Sequence, residues 1–284
     1  MAYDEIMTVL SEFCPFMLKR LSTRWENFRL RYGRSEEQFT EWQEILDDEL
    51  QRILTREYIS FLGDLLHSKH TSNNSVEDAM DEDSKEYSNV SMKTVSELGQ
   101  KIMKSENVRT VVICTAFDAM HWLDTSTNIK SVLLCELIFK KLLEDNYVQQ
   151  VQEANYLLQS ILYGLQELGE HDANQGSMLS LAVSVYGNLR PKFPELRETL
   201  ISSVACEPEL VNALEDTFFN AVEQCKRPNH EKRKKEVFRN AISKIIGKNI
   251  GQHHKRNIVI KNLCPLPFIP KKKNSIDDID DETL

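Results

Sequence analysis

Apolar residues recur at helical spacing along most of the chain. Between Tyr3 and Tyr32 they fall at Ile6, Val9, Leu10, Phe13, Met17, Leu21, Trp25 and Phe28, the i, i+3, i+4 rhythm of a helix with one buried face. Pro15 lies inside that run, where its missing N–H is expected to kink the helix or split it in two. Gly33 supplies a stop. A second helix is expected from about Ser35 to Leu66, with a stripe of Ile45, Leu46, Leu50, Ile53, Leu54, Phe61, Leu62 and Leu65.

The pattern then breaks. Residues 67–91 hold almost no large apolar side chain but many acids and serines. Such a stretch buries too little surface to offset the entropy of ordering it, and it reads as a disordered acidic insert. Helical spacing resumes at Met92. Val108–Trp122 contains VRTVVIC, β-branched enough for a strand, but it continues without a turn signal into TAFDAMHWL, so a helix is expected. Asp124 or Thr125 caps the next helix. Its two rows, Ile129–Leu133–Leu137 and Leu134–Ile138–Leu142, predict a wide buried face.

Further helices are expected over Val148–Leu168 (ending at Gly169), Met178–Leu189, and Pro194 to about Ser203. Two more follow at Glu209–Lys226 and at His230–Ile246, the latter stopping at Gly247. EHDANQGS between the first two of these reads as a polar turn. Pro194 and Pro208 suit the first turns of the helices they precede. About ten helices, pairing roughly every 40 residues, match antiparallel helical-pair repeats of the HEAT kind. No residue-level repeat consensus is visible, and the pattern alone leaves an ordinary helical bundle open. The expected organisation is a helix pair over 1–66, the acidic insert over 67–91, HEAT-like repeats over 92–250 and a tail over 251–284. The tail has three prolines and a short β-branched patch, so it reads as extended and basic, ending in a short acidic disordered segment.

Composition supports this fold class. Nine Gly and eight Pro in 284 residues are few for a turn-rich β fold. No apolar run reaches a membrane-spanning length, and MAYDEIMTVL lacks the basic start of a secretory signal. The six cysteines stand far apart and mostly among apolar neighbours, as reduced buried thiols do. Charge adds one asymmetry. The net charge is −9, yet Cys225–Lys273 carries 15 Lys and Arg against two acids, a local +13. An acidic body with a basic C-terminal region bears on partners rather than on fold.

No catalytic constellation appears. There is no GxSxG, GxGxxG, HExxH or CxxC motif. Gly247-Lys248 fails as a phosphate loop because Asn249 follows it. Cys225, His230, His253, His254 and Cys264 match no standard zinc spacing and sit in a cation-repelling stretch. The chemistry-bearing feature is the basic region: Lys226, Arg227, Lys232, Arg233, Lys234, Lys235, Arg239, Lys248, Lys255 and Arg256 are the candidate RNA-phosphate contacts. Four cations at a helix start oppose the helix dipole, a local rule broken where function could explain it. Phe238 and Phe268 are the only aromatics nearby, which disfavours base stacking and suits phosphate contact with a duplex. A solvated basic face, a clasp on the acidic body and a nuclear-import signal in EKRKKE remain alternative readings.

LQELGEHDANQGSMLSLAVSVYGNLRPKFPELRE and KRKKEVFRNAISKIIGKNIGQHHKRNIVIKNL, with LDDELQRILTREYISFL and KSENVRTVVICTAFDAMHWLDT before them, resemble the C-terminal part of the exportin-5 family of the importin-β (karyopherin) superfamily. The likeness runs from about Met17 to Lys273. It implies an all-α solenoid of HEAT-like antiparallel helix pairs with an extended C-terminal tail. It also implies a non-catalytic role in Ran-GTP-dependent nuclear export of double-stranded or hairpin RNA (precursor microRNA and transfer RNA), shuttling between nucleus and cytoplasm. Receptors of this family are several times longer, so this chain is expected to be a portion of one. GTP would be held by Ran, Ran by N-terminal repeats without a counterpart here, and no cofactor by this chain. Nuclear pore proteins are further implied partners, and no membrane is. The alternative is a protein-interaction scaffold of helical repeats without a direct RNA role.

Overall fold

A computed structural model describes residues 2–32, 42–67, 95–169, 172–220 and 230–246. The described residues form ten α-helices and no strand: α1 (Ala2–Tyr32), α2 (Trp42–Leu66), α3 (Glu97–Lys104), α4 (Glu106–Ala119), α5 (Thr125–Glu144), α6 (Val151–Leu168), α7 (Asp172–Leu189), α8 (Leu196–Val204), α9 (Pro208–Glu215) and α10 (His230–Ala241). One π-helical turn, Asp216–Asn220, follows α9.

The helices stack in two layers. α1, α4, α6 and α8 pack in succession on one side, and α2, α5, α7 and α10 on the other. Consecutive partners α1/α2, α4/α5 and α6/α7 close each pair across the layers, and α9 closes on α10. Each pair therefore buries its apolar surface against the next, which is the arrangement of an all-α solenoid. The core runs along the seam between layers through Leu21, Phe117, Ile138, Leu158, Tyr186 and Leu200, all fully buried.

Local signals fix the helix starts. Ser96 caps α3, its Oγ accepting from the Gly99 amide and donating to the Leu65 carbonyl. Asp124 caps α5. Gln150 and Glu153 form a capping box on α6. Pro208 occupies the first turn of α9. VRTVVIC is helical within α4, and nine residues of α4 are buried, the polar Thr110 and Thr115 among them. The β-branched run thus owes its helix to packing on both faces, which overrides propensity.

Several expectations are corrected. Pro15 does not split the chain into two helices: α1 runs continuously through it. Asp172–Ser177 belongs to α7 rather than to a polar turn. The helix expected to reach Lys226 changes to a π turn at Asp216, and the last helix ends at Ala241, followed by turns to Ile246. In α5 only one of the two rows is fully buried: Ile129 and Leu133 are exposed, whereas Leu134, Ile138 and Leu142 face the core. α2 departs most. Its buried side is Gln51, Thr55, Tyr58, Ile59, Leu62 and Leu66, and Leu46, Leu50, Ile53, Leu54 and Phe61 face outward. The reason is polar. Thr55 Oγ1 donates to the Gln51 carbonyl (2.7 Å) and accepts from Trp25 Nε1 (3.0 Å), so these polar groups are satisfied inside.

The helix expected to resume at Met92 begins at Glu97, capped by Ser96. The helix start expected at Ser35, the stops at Gly33 and Gly247, the acidic insert beyond His67 and the basic tail lie outside the described residues. Cys14, Cys114, Cys135 and Cys206 are free and buried. Burial pushes each of these thiols up from its usual range, which keeps them protonated and unreactive. No described helix is long and apolar enough to cross a membrane.

Candidate nucleic-acid interface

α10 carries the described part of the basic region. Its inner side anchors it: Phe238, Ala241, Ile242 and Ile245 are buried, and the Phe238 ring stands edge-on to Tyr186 of α7 at 6.0 Å. The π turn supplies Phe218, which meets the same Tyr186 ring edge-on at 6.0 Å. Beyond the helix, Lys244 Nζ donates to the Ala205 carbonyl (2.9 Å) and lies 3.7 Å from Glu207. That cation therefore ties the end of the chain's described part to the α8–α9 turn.

The candidate cations divide by face. Lys232, Arg233 and Arg239 are exposed, whereas Phe238 is buried. Lys234 is turned inward, 3.0 Å from Glu231 and with its ammonium 5.5 Å above the Phe218 ring. Lys235 is half-buried. Glu231 in the first turn offsets part of the dipole conflict at this helix start. Lys226, Arg227, Lys248, Lys255 and Arg256 lie outside the described residues, as do Cys225, His253, His254 and Cys264 of the imagined metal set.

Cations in the body are placed differently. Arg56 of α2 donates through Nε and Nη2 to both oxygens of Asp124 (2.9 and 2.7 Å), and Arg52 adds a third bond at 3.2 Å. Glu215 of α9 accepts from Arg190 Nε and Arg197 Nη1, each at 2.7 Å, and from the Tyr186 hydroxyl at 3.0 Å. These arginines bind helices to one another. The exposed cations of α10 point away from the stack.

A sequence profile of the Exportin-5 family matches residues 6–257. The chain belongs to the Exportin-5 family. Mouse (Mus musculus) Exportin-5 is 29% identical over 288 residues, covering 98% of this chain and 24% of the relative. Human (Homo sapiens) Exportin-5 is 29% identical over 282 residues, covering 93% of this chain and 22% of the relative. The chain thus spans about a quarter of the length of the curated relatives it matches. All ten candidate cations, Lys226 to Arg256, fall within the span matched to the family.

One apolar surface departs from the expected stripe. Leu46, Leu50, Ile53, Leu54 and Phe61 of α2 are exposed, while Leu62 of the same stripe is buried. Ile6, Val9, Phe13 and Phe16 of α1 are exposed as well, and the Phe13 and Phe61 rings meet edge-on. The signal was present in Tyr58, Ile59, Leu62 and Leu66, a competing i, i+3, i+4 row.

Proposed function

We propose that this chain is the C-terminal, non-catalytic module of a Ran-GTP-dependent nuclear export receptor that carries double-stranded or hairpin RNA between nucleus and cytoplasm. Membership in the Exportin-5 family carries the transport reading. The exposed cations of α10 support the RNA reading. Lys232, Arg233 and Arg239 are exposed around the outer side of the helix, and charge without an aromatic platform suits the phosphates of a duplex. Ran-GTP and nuclear pore proteins are engaged by the longer receptor, and GTP is bound and hydrolysed on Ran rather than here. Neither a cofactor nor a metal enters this role.

Binding to a short RNA hairpin and to a single strand of equal phosphate count tests the proposal. The chain is expected to prefer the hairpin. Lys232→Glu combined with Arg239→Glu is expected to weaken hairpin binding by roughly tenfold or more, as loss and reversal of phosphate contacts does. Equal binding of both RNAs, or binding that ignores the reversal, would support the scaffold reading without a direct RNA role.

A further inference from the structure

Three successive helix pairs meet along one edge of the stack through side chains rather than through a filled core. α1, α4 and α6 follow one another in the same layer, α1 on α4 and α4 on α6. Arg29, near the end of α1, reaches over the α4–α5 turn. Its Nη2 donates to the His121 carbonyl (3.3 Å), and its guanidinium lies 4.9 Å from the centre of the Tyr163 ring of α6. The His121 ring leans on the same Tyr163 ring, with centroids 4.6 Å apart. Beside these groups, between α1 and the end of α4, is a cleft of about 110 Å³ lined by Trp25, Glu26, Arg29, Asp118, His121 and Trp122.

The arrangement leaves one group unsatisfied. Both ring nitrogens of His121 are buried without a hydrogen-bond partner. Asp118 Oδ1 stands 3.7 Å from His121 Nε2, too far for a hydrogen bond. A buried polar group of this kind needs a physical reason, and a joint with a second arrangement supplies one. The cleft gives the ring room to move. Arg29 also has a second partner within reach. Glu26 lies three residues earlier on α1, the spacing at which helix side chains pair. It is exposed, lines the same cleft and is held by no ion pair among the described residues.

We infer that Arg29, His121 and Tyr163 form a two-state clasp that opens and closes the edge between the first and second helix pairs. In the clasped state, the one seen here, Arg29 spans from α1 to α6 and holds α1 against the α4–α5 turn. In the released state Arg29 pairs with Glu26, the His121 ring closes on Asp118, and the cleft widens. Each state satisfies groups that the other leaves without partners, so the two compete. A partner that fits one setting of the joint selects that state of the clasp.

Hydrogen exchange of the 284-residue chain tests this. Tyr163→Leu should raise exchange over residues 25–30 and 120–124 by roughly 3- to 10-fold, as loss of a partly desolvated cation–π contact does. Tyr163→Phe keeps the ring and should exchange as wild type does. Glu26→Gln removes the released-state partner of Arg29 and should slow exchange over the same residues, which no general loss of stability produces. Unchanged exchange in Tyr163→Leu, or a rise spread evenly over α5–α9, overturns the inference. So does a Glu26→Gln variant that exchanges at the wild-type rate or faster.

Discussion

The Asp124 carboxylate joins helix capping to helix packing. Its Oδ2 accepts from the Thr127 amide (2.9 Å) and hydroxyl (2.6 Å), starting α5, and both oxygens accept from Arg56 of α2. Burial alone would raise its pKa, but the bonds from Arg56 and Thr127 outweigh burial and hold it well below the usual carboxylate range. Asp124→Asn keeps the shape and removes the charge. It is expected to cost about 2–3 kcal/mol in urea unfolding, combining a weakened cap with the loss of the charged acceptor shared by two arginines. Because the folded pKa is depressed, this contribution is complete above the unfolded value of about 4 and is lost as pH falls below it. The stability gap between wild type and Asp124→Asn should therefore stay constant from neutral pH to about pH 5 and narrow below about pH 4. A gap that widens on acidification would contradict the assignment. Asp124 was legible in the sequence as a cap, since a short acceptor before an apolar run has local meaning. Its arginine partners were not, because Arg52 and Arg56 lie about 70 residues earlier and only the stack brings them close.

Among the elements, the joints are the places where the fold is most easily disturbed. Gly99 lets α3 approach α2: a Cβ there would stand 2.8 Å from the Leu66 carbonyl oxygen and 3.0 Å from its Cα. Gly99→Ala should therefore destabilise by about 1–3 kcal/mol despite its better helix propensity, because backbone is what it meets. Differential scanning calorimetry would show this as a lowered Tm. At the α8–α9 joint the sign reverses. Ala205 ends α8 in the left-handed region, with φ 46° and ψ 44°. Glycine adopts that conformation without the Cβ penalty. Ala205→Gly is expected to stabilise by roughly 0.5–1 kcal/mol, after the entropy lost on ordering glycine is counted. A loss of stability would mean that the alanine methyl packs more than it strains.

The same joints explain which elements the sequence disclosed. α6 was readable through to its end at Leu168, because its apolar spacing is wide and Gly169 follows it, but it starts at Val151 and not at Val148, where Gln150 and Glu153 form the capping box. α4 was readable only by continuity, since its β-branched run speaks for a strand and packing decides otherwise. α2 was expected as a helix, but most of its expected stripe faces outward. Its five exposed apolar residues outnumber the four apolar residues on its buried side, of which only Leu62 belongs to the stripe, and the Trp25–Thr55 bond that turns it comes from another helix. The start of α7 was read as a turn because Asp172–Ser177 is polar, although Asn174 and Gln175 are buried in the fold.

At the scale of the whole molecule, charge and packing are separated. The stack uses its arginines internally at Asp124 and Glu215, and α10 presents cations outward from a side chain set anchored by Phe238. The basic region was legible as a sequence feature because charge density needs no fold to be counted. Which cations stay exposed was not, since Lys234 turns inward only where the π turn sets Phe218 beneath it.

Under the proposed function, the exposed cations of α10 contact RNA phosphates. A salt titration of hairpin-RNA binding checks this, comparing wild type with a triple variant carrying Lys232→Glu, Arg233→Glu and Arg239→Glu. Each lost phosphate contact lowers the slope of log affinity against log salt by roughly 0.7–0.9. Wild-type affinity is expected to fall steeply with salt, and the variant's slope to be shallower by about 2–3, with the helical circular dichroism unchanged. Equal slopes in the two proteins, or no binding by wild type at low salt, would contradict it.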